Sequence, residues 1–386
     1  MFRWLFLIIA IIIFISGLPA QNTCPIILLH GFLGWGRDEM AGYYYWGGRT
    51  DLQTILRDSG HEVYTVSVGP ISPNFDRAIE AFFQIRGGQV DYGNEMAEML
   101  GIIQRPPIKN YAGLYPAWDS DHPVHIISHS QGGQTAGMLE ILLKTAMDGE
   151  TSPLLSEKHF GWIKSITTIS TPHNGSTLVP IMLDVFPFVL NLAPWFGGID
   201  VENVDNFFSF DLEQWALERR TGESFKEYYQ RLGNSPLSKS HNLCSWDLSP
   251  EGAAEFNEKY VTDPEVYYFS FSTYATRAEN AKATHRPDSN MSFHLWSTSL
   301  LIGHDNQIPD TSWYENDGIC NTISMTHPFG SPVKTYDGVP QKGVWQIAGR
   351  LHMDHKAVIG HMVSKKETDD IVVFYNEHAK LLSSLK

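Results

Sequence analysis

The chain has 386 residues, with 28 Lys+Arg against 43 Asp+Glu and a net charge of −15. That balance speaks against a nucleic-acid binder, which needs excess base. An apolar content of 42% and an aromatic content of 12% exclude a disordered chain, and three cysteines are too few for a disulfide scaffold.

Residues 1–20 read as a secretory signal: Arg3, an apolar run from Trp4 to Ile15, then Ser16-Gly17-Leu18-Pro19-Ala20. The run is shorter than the roughly 20 residues of a spanning helix. An uncleaved anchor is the alternative reading, and no later stretch suggests an integral span. A secreted or lumenal protein is therefore expected, in which Cys24, Cys244 and Cys320 allow at most one internal bridge. Asn174-Gly175-Ser176 and Asn290-Met291-Ser292 are glycosylation sequons.

Residues 25–30 (PIILLH) form a continuous apolar run ending at Gly31, as expected of a buried parallel strand. Thr50 can cap a helix that carries Leu52, Ile55 and Leu56 on one face and stops at Gly60. Further strands are expected at 63–68, 124–128, 163–170 and 266–272. Helices are expected at 76–85, 94–103, 131–147 and 370–385, and Ser224 with Glu227 reads as a capping box on a helix ending near Gly233. Strands alternate with helices throughout, so the fold class is α/β, a mostly parallel central sheet with helices on both faces. No repeat or linker divides 21–386, which reads as one domain.

Ser128-His129-Ser130-Gln131-Gly132-Gly133 lies between a strand and a helix, the setting of a nucleophile elbow. The turn is crowded, so the residues two before and two after the nucleophile must be small. Gly132 meets that demand, and Ser128 stands where glycine is usual. Ser130 needs a base held by a third group, in the chain order Ser, acid, His. His173, His304, His327, His352, His355 and His361 all follow it. His355 suits the order best, with His352 and His361 as loop or surface competitors. Asp317, in the turn-like Glu315-Asn316-Asp317-Gly318, is the preferred acid, although an Asp in a turn more commonly caps. Asp354 is too close to His355 to orient it. Acyl transfer also needs oxyanion donors, assigned to the backbone N–H groups of Gln131 and of Phe32 in the His30-Gly31-Phe32 loop.

His30-Gly31-Phe32-Leu33-Gly34-Trp35-Gly36-Arg37, Tyr45-Trp46-Gly47-Gly48, Ser128-His129-Ser130-Gln131-Gly132-Gly133-Gln134, Thr171-Pro172-His173-Asn174-Gly175 and Gly343-Val344-Trp345 together resemble the large thermoalkaliphilic and staphylococcal secreted lipases. The resemblance runs from about Pro25 to the C-terminal helix. It implies an α/β-hydrolase fold with a lid and a small inserted subdomain, and cleavage of triacylglycerols and other fatty-acid esters. By motif, its nucleophile, acid and base fall on Ser130, Asp317 and His355, and its oxyanion donors on Phe32 and Gln131.

That family holds a structural zinc with two Asp and two His. The Asp positions match Asp76 and Asp247, but no His lies between His61 and His122, and Met96 and Ile102 occupy the region. Two carboxylates make a poor zinc site. At the family's calcium site this chain has Ala357, then Met362 and Val363, which lack the oxygen ligands calcium needs. No metal or other cofactor is expected.

The apolar stretch 176–210 fits a lid that opens on a lipid surface. The expected function is a secreted serine lipase or carboxylesterase with a Ser-Asp-His triad and an acyl-enzyme. Its partners are an ester lipid and the lipid–water interface, without nucleic acid. A phospholipase or acyltransferase would use the same site, and a non-catalytic lipid-binding protein is the reading from a different class.

Overall fold

The computed structural model describes residues 21–185, 208–240, 242–279, 284–304, 308 and 310–386. The expected signal at 1–20, and most of the expected lid, lie outside these residues. Among the described residues, no helix is long and apolar enough to cross a membrane.

The main sheet consists of β1 (Ile26–Leu29), β2 (Val63–Val66), β3 (Val124–His129), β4 (Ile163–Ile169), β5 (Tyr267–Thr273), β6 (Val333–Thr335) and β7 (Trp345–Leu351). Their spatial order is β6-β7-β5-β4-β3-β1-β2, and every neighbouring pair is parallel. β6 and β7 were not expected from the sequence. β6 is three residues long, and β7 mixes Gln346, Gly349 and Arg350 with its apolar positions, so neither shows a strand-length apolar run.

Successive side chains of a strand point to opposite faces, and the apolar runs are buried on both. Ile26 and Leu28 enter one core, with Leu52, Leu56, Tyr375, Ala379 and Leu382. Ile27 and Leu29 enter the other, with Ile79, Phe82, Leu139 and Leu142. Helices α1 (Leu52–Asp58) and α9 (Lys365–Ser383) therefore cover one face. Helices α2 (Asn74–Arg86) and α4 (Gln131–Lys144) cover the other. This is the doubly covered parallel sheet of an α/β hydrolase.

Local signals and local structure differ in a few places. Asp51, not Thr50, caps α1, its carboxylate accepting from Thr54 N–H. Helix α3 (Asn94–Leu100) stops short of residue 103 because Gly101 takes a left-handed conformation (φ 66°) that ends it. The Ser224/Glu227 capping box opens α6 (Phe225–Gly233) as expected, and a second box, Ser364 with Glu367, starts α9 five residues before the expected position. Of the expected lid, helix α5 (Leu178–Val185) is described and 186–207 is not. α7 (Pro250–Lys259) and α8 (Trp296–His304) complete the longer helices used below. The three cysteines are unbridged. Asn174 is buried, its amide donating to the carbonyls of Ser324 and His327, so its sequon is not open to a glycan.

Candidate active site

Ser130 stands between β3 and α4 at φ 56° and ψ −131°, a conformation in which few non-glycine residues are found. The surroundings of this turn are crowded. A Cβ on Gly132 would lie 2.4 Å from the Leu29 carbonyl oxygen. One on Gly31 would lie 2.6 Å from Ser130 Cβ and 2.8 Å from the His129 carbonyl oxygen. Ser128, in the usual glycine position, fits by turning its hydroxyl to donate to the Thr167 carbonyl at 2.8 Å.

The turn brings Ser130 Oγ to 2.9 Å from His355 Nε2. His355 Nδ1 lies 2.7 Å from Asp317 Oδ2, which also accepts from Thr273 Oγ1 at 2.7 Å. Asp317 Oδ1 accepts the N–H groups of Ile319 (3.1 Å) and Cys320 (2.8 Å). The His355 N–H donates to the Asp317 carbonyl at 3.0 Å, pinning the two loops together. With Asp317 accepting at Nδ1, the imidazole carries its proton there and leaves Nε2 to accept from the serine hydroxyl. Asp317 and His355 are both buried, which strengthens their electrostatic contact.

The other histidines have different work. His352 is half exposed, stacks on Tyr274 and lies 2.6 Å from Asp288 Oδ2. His361 lies in a loop, one of the two places expected of it, but is buried, and its Nε2 donates to the Tyr45 carbonyl at 2.8 Å. Burial and the nearby Lys356 hold its pKa down to about 4, so it is neutral. His173 is also buried, with Nε2 3.0 Å from Thr168 Oγ1. Asp354 accepts the N–H groups of Lys356, Ala357 and Ser292 and so caps a turn.

The oxyanion loop follows β1. The Val68 N–H donates to His30 Nε2 at 3.0 Å, which places the His30 proton on Nδ1, and Nδ1 donates to the Gly31 carbonyl at 2.9 Å. The Gly31 N–H donates to Tyr45 Oη at 2.9 Å. Phe32, the next residue, lines a small cavity with Ser130, His355, Tyr45 and Lys356. Burial pushes the Lys356 ammonium down to about 7, against the pull of Asp354. Gln131 opens α4 directly after the nucleophile, where a first-turn N–H has no intrahelical acceptor. A larger cavity of about 450 Å³, lined by Glu39, Glu80, Lys109 and Glu213, does not touch Ser130.

Nothing local in the sequence marks Tyr45 and His129 as site residues. Tyr45 Oη donates to His129 Nδ1 at 2.7 Å, and His129 Nε2 donates to the His355 carbonyl at 2.9 Å. A chain of hydrogen bonds thus runs from the oxyanion loop to the base. Both lie inside motifs shared with the lipases, but no local spacing signals a contact 84 residues apart.

The positions that match the family's zinc ligands do not fit that ion. Asp247 Oδ2 accepts the Asn74 N–H, and Asp76 Oδ2 accepts Gln214 Nε2 at 3.1 Å. Among the described residues no histidine joins them in a group able to hold a metal, and Met96 and Ile102 bring no strong donor. Ala357 and Val363 offer no side-chain oxygen at the calcium position. Among the described residues, the group geometrically able to hold a metal is Asp317, Cys320 and His355, which is the acid–base pair itself.

Comparison with known proteins shows the family and the fold. A family model described as "Lipase-like, C-terminal domain" matches residues 22–384. Lipase 1 of Staphylococcus aureus is 34% identical over 357 residues, covering 88% of this chain and 51% of that protein. The chain thus spans about half the length of the curated relatives it matches. EstA from Clostridium botulinum superposes with a TM-score of 0.85 at 33% identity, covering 95% of this chain and 88% of that one. The Staphylococcus hyicus lipase superposes at 0.82 with 30% identity, covering 95% and 97%.

Proposed function

The chain belongs to the lipase-like, C-terminal domain family, and from that premise we propose that it is a serine ester hydrolase acting on fatty-acyl esters such as triacylglycerols. The observation that carries this reading is the relay from Ser130 Oγ through His355 to Asp317, set on a strained elbow against the Gly31 loop.

Ser130 Oγ attacks the ester carbonyl as its proton passes to His355 Nε2. The imidazolium that forms is stabilised by Asp317, whose carboxylate the Thr273, Ile319 and Cys320 donors hold in place. Charge on the carbonyl oxygen is met by the N–H groups of Phe32 and Gln131. His355 returns the proton to the departing alcohol, leaving an acyl-Ser130. Water, deprotonated by the same Nε2, then releases the fatty acid and restores the serine.

Residues 1–20 support export, and the apolar helix α5, which opens the 176–210 segment, supports a substrate presented at a lipid surface. Hydrolysis of an ester panel graded by chain length, by wild type and Ser130→Ala, tests the reading. Wild type should cleave long-chain esters and Ser130→Ala should lose at least about 10⁴-fold in kcat. Equal rates would leave a non-catalytic lipid binder. Preference for phospholipid, for short soluble esters or for transfer to an alcohol would each redirect the substrate assignment.

A further inference from the structure

Arg77 sits on α2 with no solvent exposure. Among the described residues it has three hydrogen-bond acceptors, all uncharged. Nη2 donates to the His30 carbonyl at 2.5 Å, Nη1 to the Gly69 carbonyl at 2.8 Å and Nε to Thr135 Oγ1 at 2.9 Å. Glu80 and Asp247 act on its charge only through space. A buried guanidinium without a paired carboxylate is costly, and an apolar side chain would close the same core more cheaply.

The three acceptors explain why a fork of donors stands here. The His30 carbonyl belongs to the peptide that supplies the Gly31 N–H. Arg77 grips that peptide from its oxygen side, and Tyr45 Oη receives it from its nitrogen side. His30 Nδ1 then holds the Gly31 carbonyl, which belongs to the peptide that presents the Phe32 N–H. Thr135 lies one turn beyond Gln131 on α4, and Asn74 Oδ1 accepts from its hydroxyl at 2.9 Å. The same Asn74 oxygen lies 3.4 Å from the Gln131 side-chain nitrogen. One planar side chain therefore fixes the loop that carries one oxyanion donor to the helix that carries the other.

We propose that Arg77 is the positioning residue of the oxyanion hole, clamping the β1 loop to the nucleophile helix so that the Phe32 and Gln131 N–H groups converge on one point. The proposal rests on the hydrolase reading above. Arg77 touches no substrate. Its effect is on the spacing of two backbone donors, and misplacing one such donor costs about 10²–10³-fold in kcat.

The test uses the full chain, a soluble short-chain nitrophenyl ester and an alkyl boronic acid, which adds to Ser130 as a tetrahedral anion seated in the oxyanion hole. Arg77→Met should lower kcat about 10²-fold, leave KM within about twofold, and weaken the boronic acid in step with kcat/KM. Arg77→Lys, which keeps the charge and loses the fork, should fall between. If Arg77→Met does not fold, Thr135→Val removes the Nε acceptor, together with the hydroxyl's own bond to Asn74 Oδ1, and should weaken kcat and boronic acid binding together by about tenfold. A folded Arg77 variant with unchanged kcat, a rise in KM alone, or a loss of kcat with boronic acid affinity retained would each overturn the proposal. Failure of wild type to hydrolyse any ester would instead remove the hydrolase reading, before the Arg77 variants are compared.

Discussion

Asp317 and Asp76 are both fully buried, yet their surroundings differ. Asp317 accepts four hydrogen bonds, two on each carboxylate oxygen. Asp76 accepts one on Oδ2, from Gln214, and its Oδ1 has no partner among the described residues. Burial, with Glu80 adding to it, pushes the Asp76 carboxyl up to about 7. Around Asp317 the fold has replaced water with donors, which hold its two oxygens in place opposite His355. Around Asp76 it has not, and protonation relieves the charge instead. Lys109 is a buried cation of that second region. Lys109 Nζ lies 2.6 Å from Glu80 Oε1, 3.2 Å from Tyr92 Oη, 2.9 Å from the Asp211 carbonyl and 3.3 Å from Glu213 Oε2. Burial alone would lower the Lys109 pKa, but Glu80 and Glu213 raise it above its ordinary value.

The largest effect expected at either region is on catalysis at Asp317. Asp317→Asn keeps the shape, loses the charge and turns one acceptor oxygen into a donor, and should cost about 10⁴-fold in kcat. A variant within tenfold of wild type would place the acid elsewhere and dissolve the contrast. Lys109 answers for stability. Lys109→Met strands Glu80 and Glu213, and breaking a buried pair in this way costs about 3–5 kcal/mol. Denaturant unfolding reads that loss, and the activity of the folded fraction should stay close to wild type, because none of the contacts of Lys109 reaches Ser130 or His355. A Lys109→Met protein as stable as wild type would mean that this cluster carries no weight.

Asp76→Asn should act in the opposite direction. The folded carboxyl titrates near 7 and the unfolded one near 3.8, so below about 4 both states hold the proton and no penalty exists. As pH rises from 4 to 7 the unfolded state gives up its proton first, and the stability of the native protein declines. Each unit of the difference is worth about 1.4 kcal/mol. The variant cannot ionise, so its advantage over wild type should open across that window and level off above pH 7. A variant less stable than wild type at pH 8 would show that the Asp76 charge is compensated after all.

The two regions also differed in how far the sequence revealed them. The elbow was legible because its demands are local: a buried apolar strand, a serine, small neighbours and a helix start within a dozen residues. The order Ser, acid, His then narrowed the search to Asp317 and His355, which the fold brings to one line of hydrogen bonds. Arg77, Tyr45 and His129 escaped because their meaning lies in contacts across 47 and 84 residues of chain, which no periodicity encodes. β6 and β7 escaped because one is short and the other carries polar residues between its apolar ones. At Asp76 the sequence showed which donors were missing, namely two histidines. It could not show that Gln214, 138 residues away, meets one of the carboxylate oxygens.

The smallest expected effect is none, and it bears on the whole contrast. A structural metal stabilises the native state by mass action, so stripping it lowers Tm and often activity. Asp76 and Asp247 are met by Gln214 and the Asn74 N–H, while Ala357 and Val363 bring no oxygen to the calcium position. Excess chelator should therefore leave both Tm and ester hydrolysis where they were, and elemental analysis of the purified chain should find no stoichiometric zinc. A fall in Tm with chelator, reversed by zinc, would mean that a metal and not a proton settles the Asp76 charge. The stability gain expected of Asp76→Asn would then turn into a loss, so the two measurements check each other.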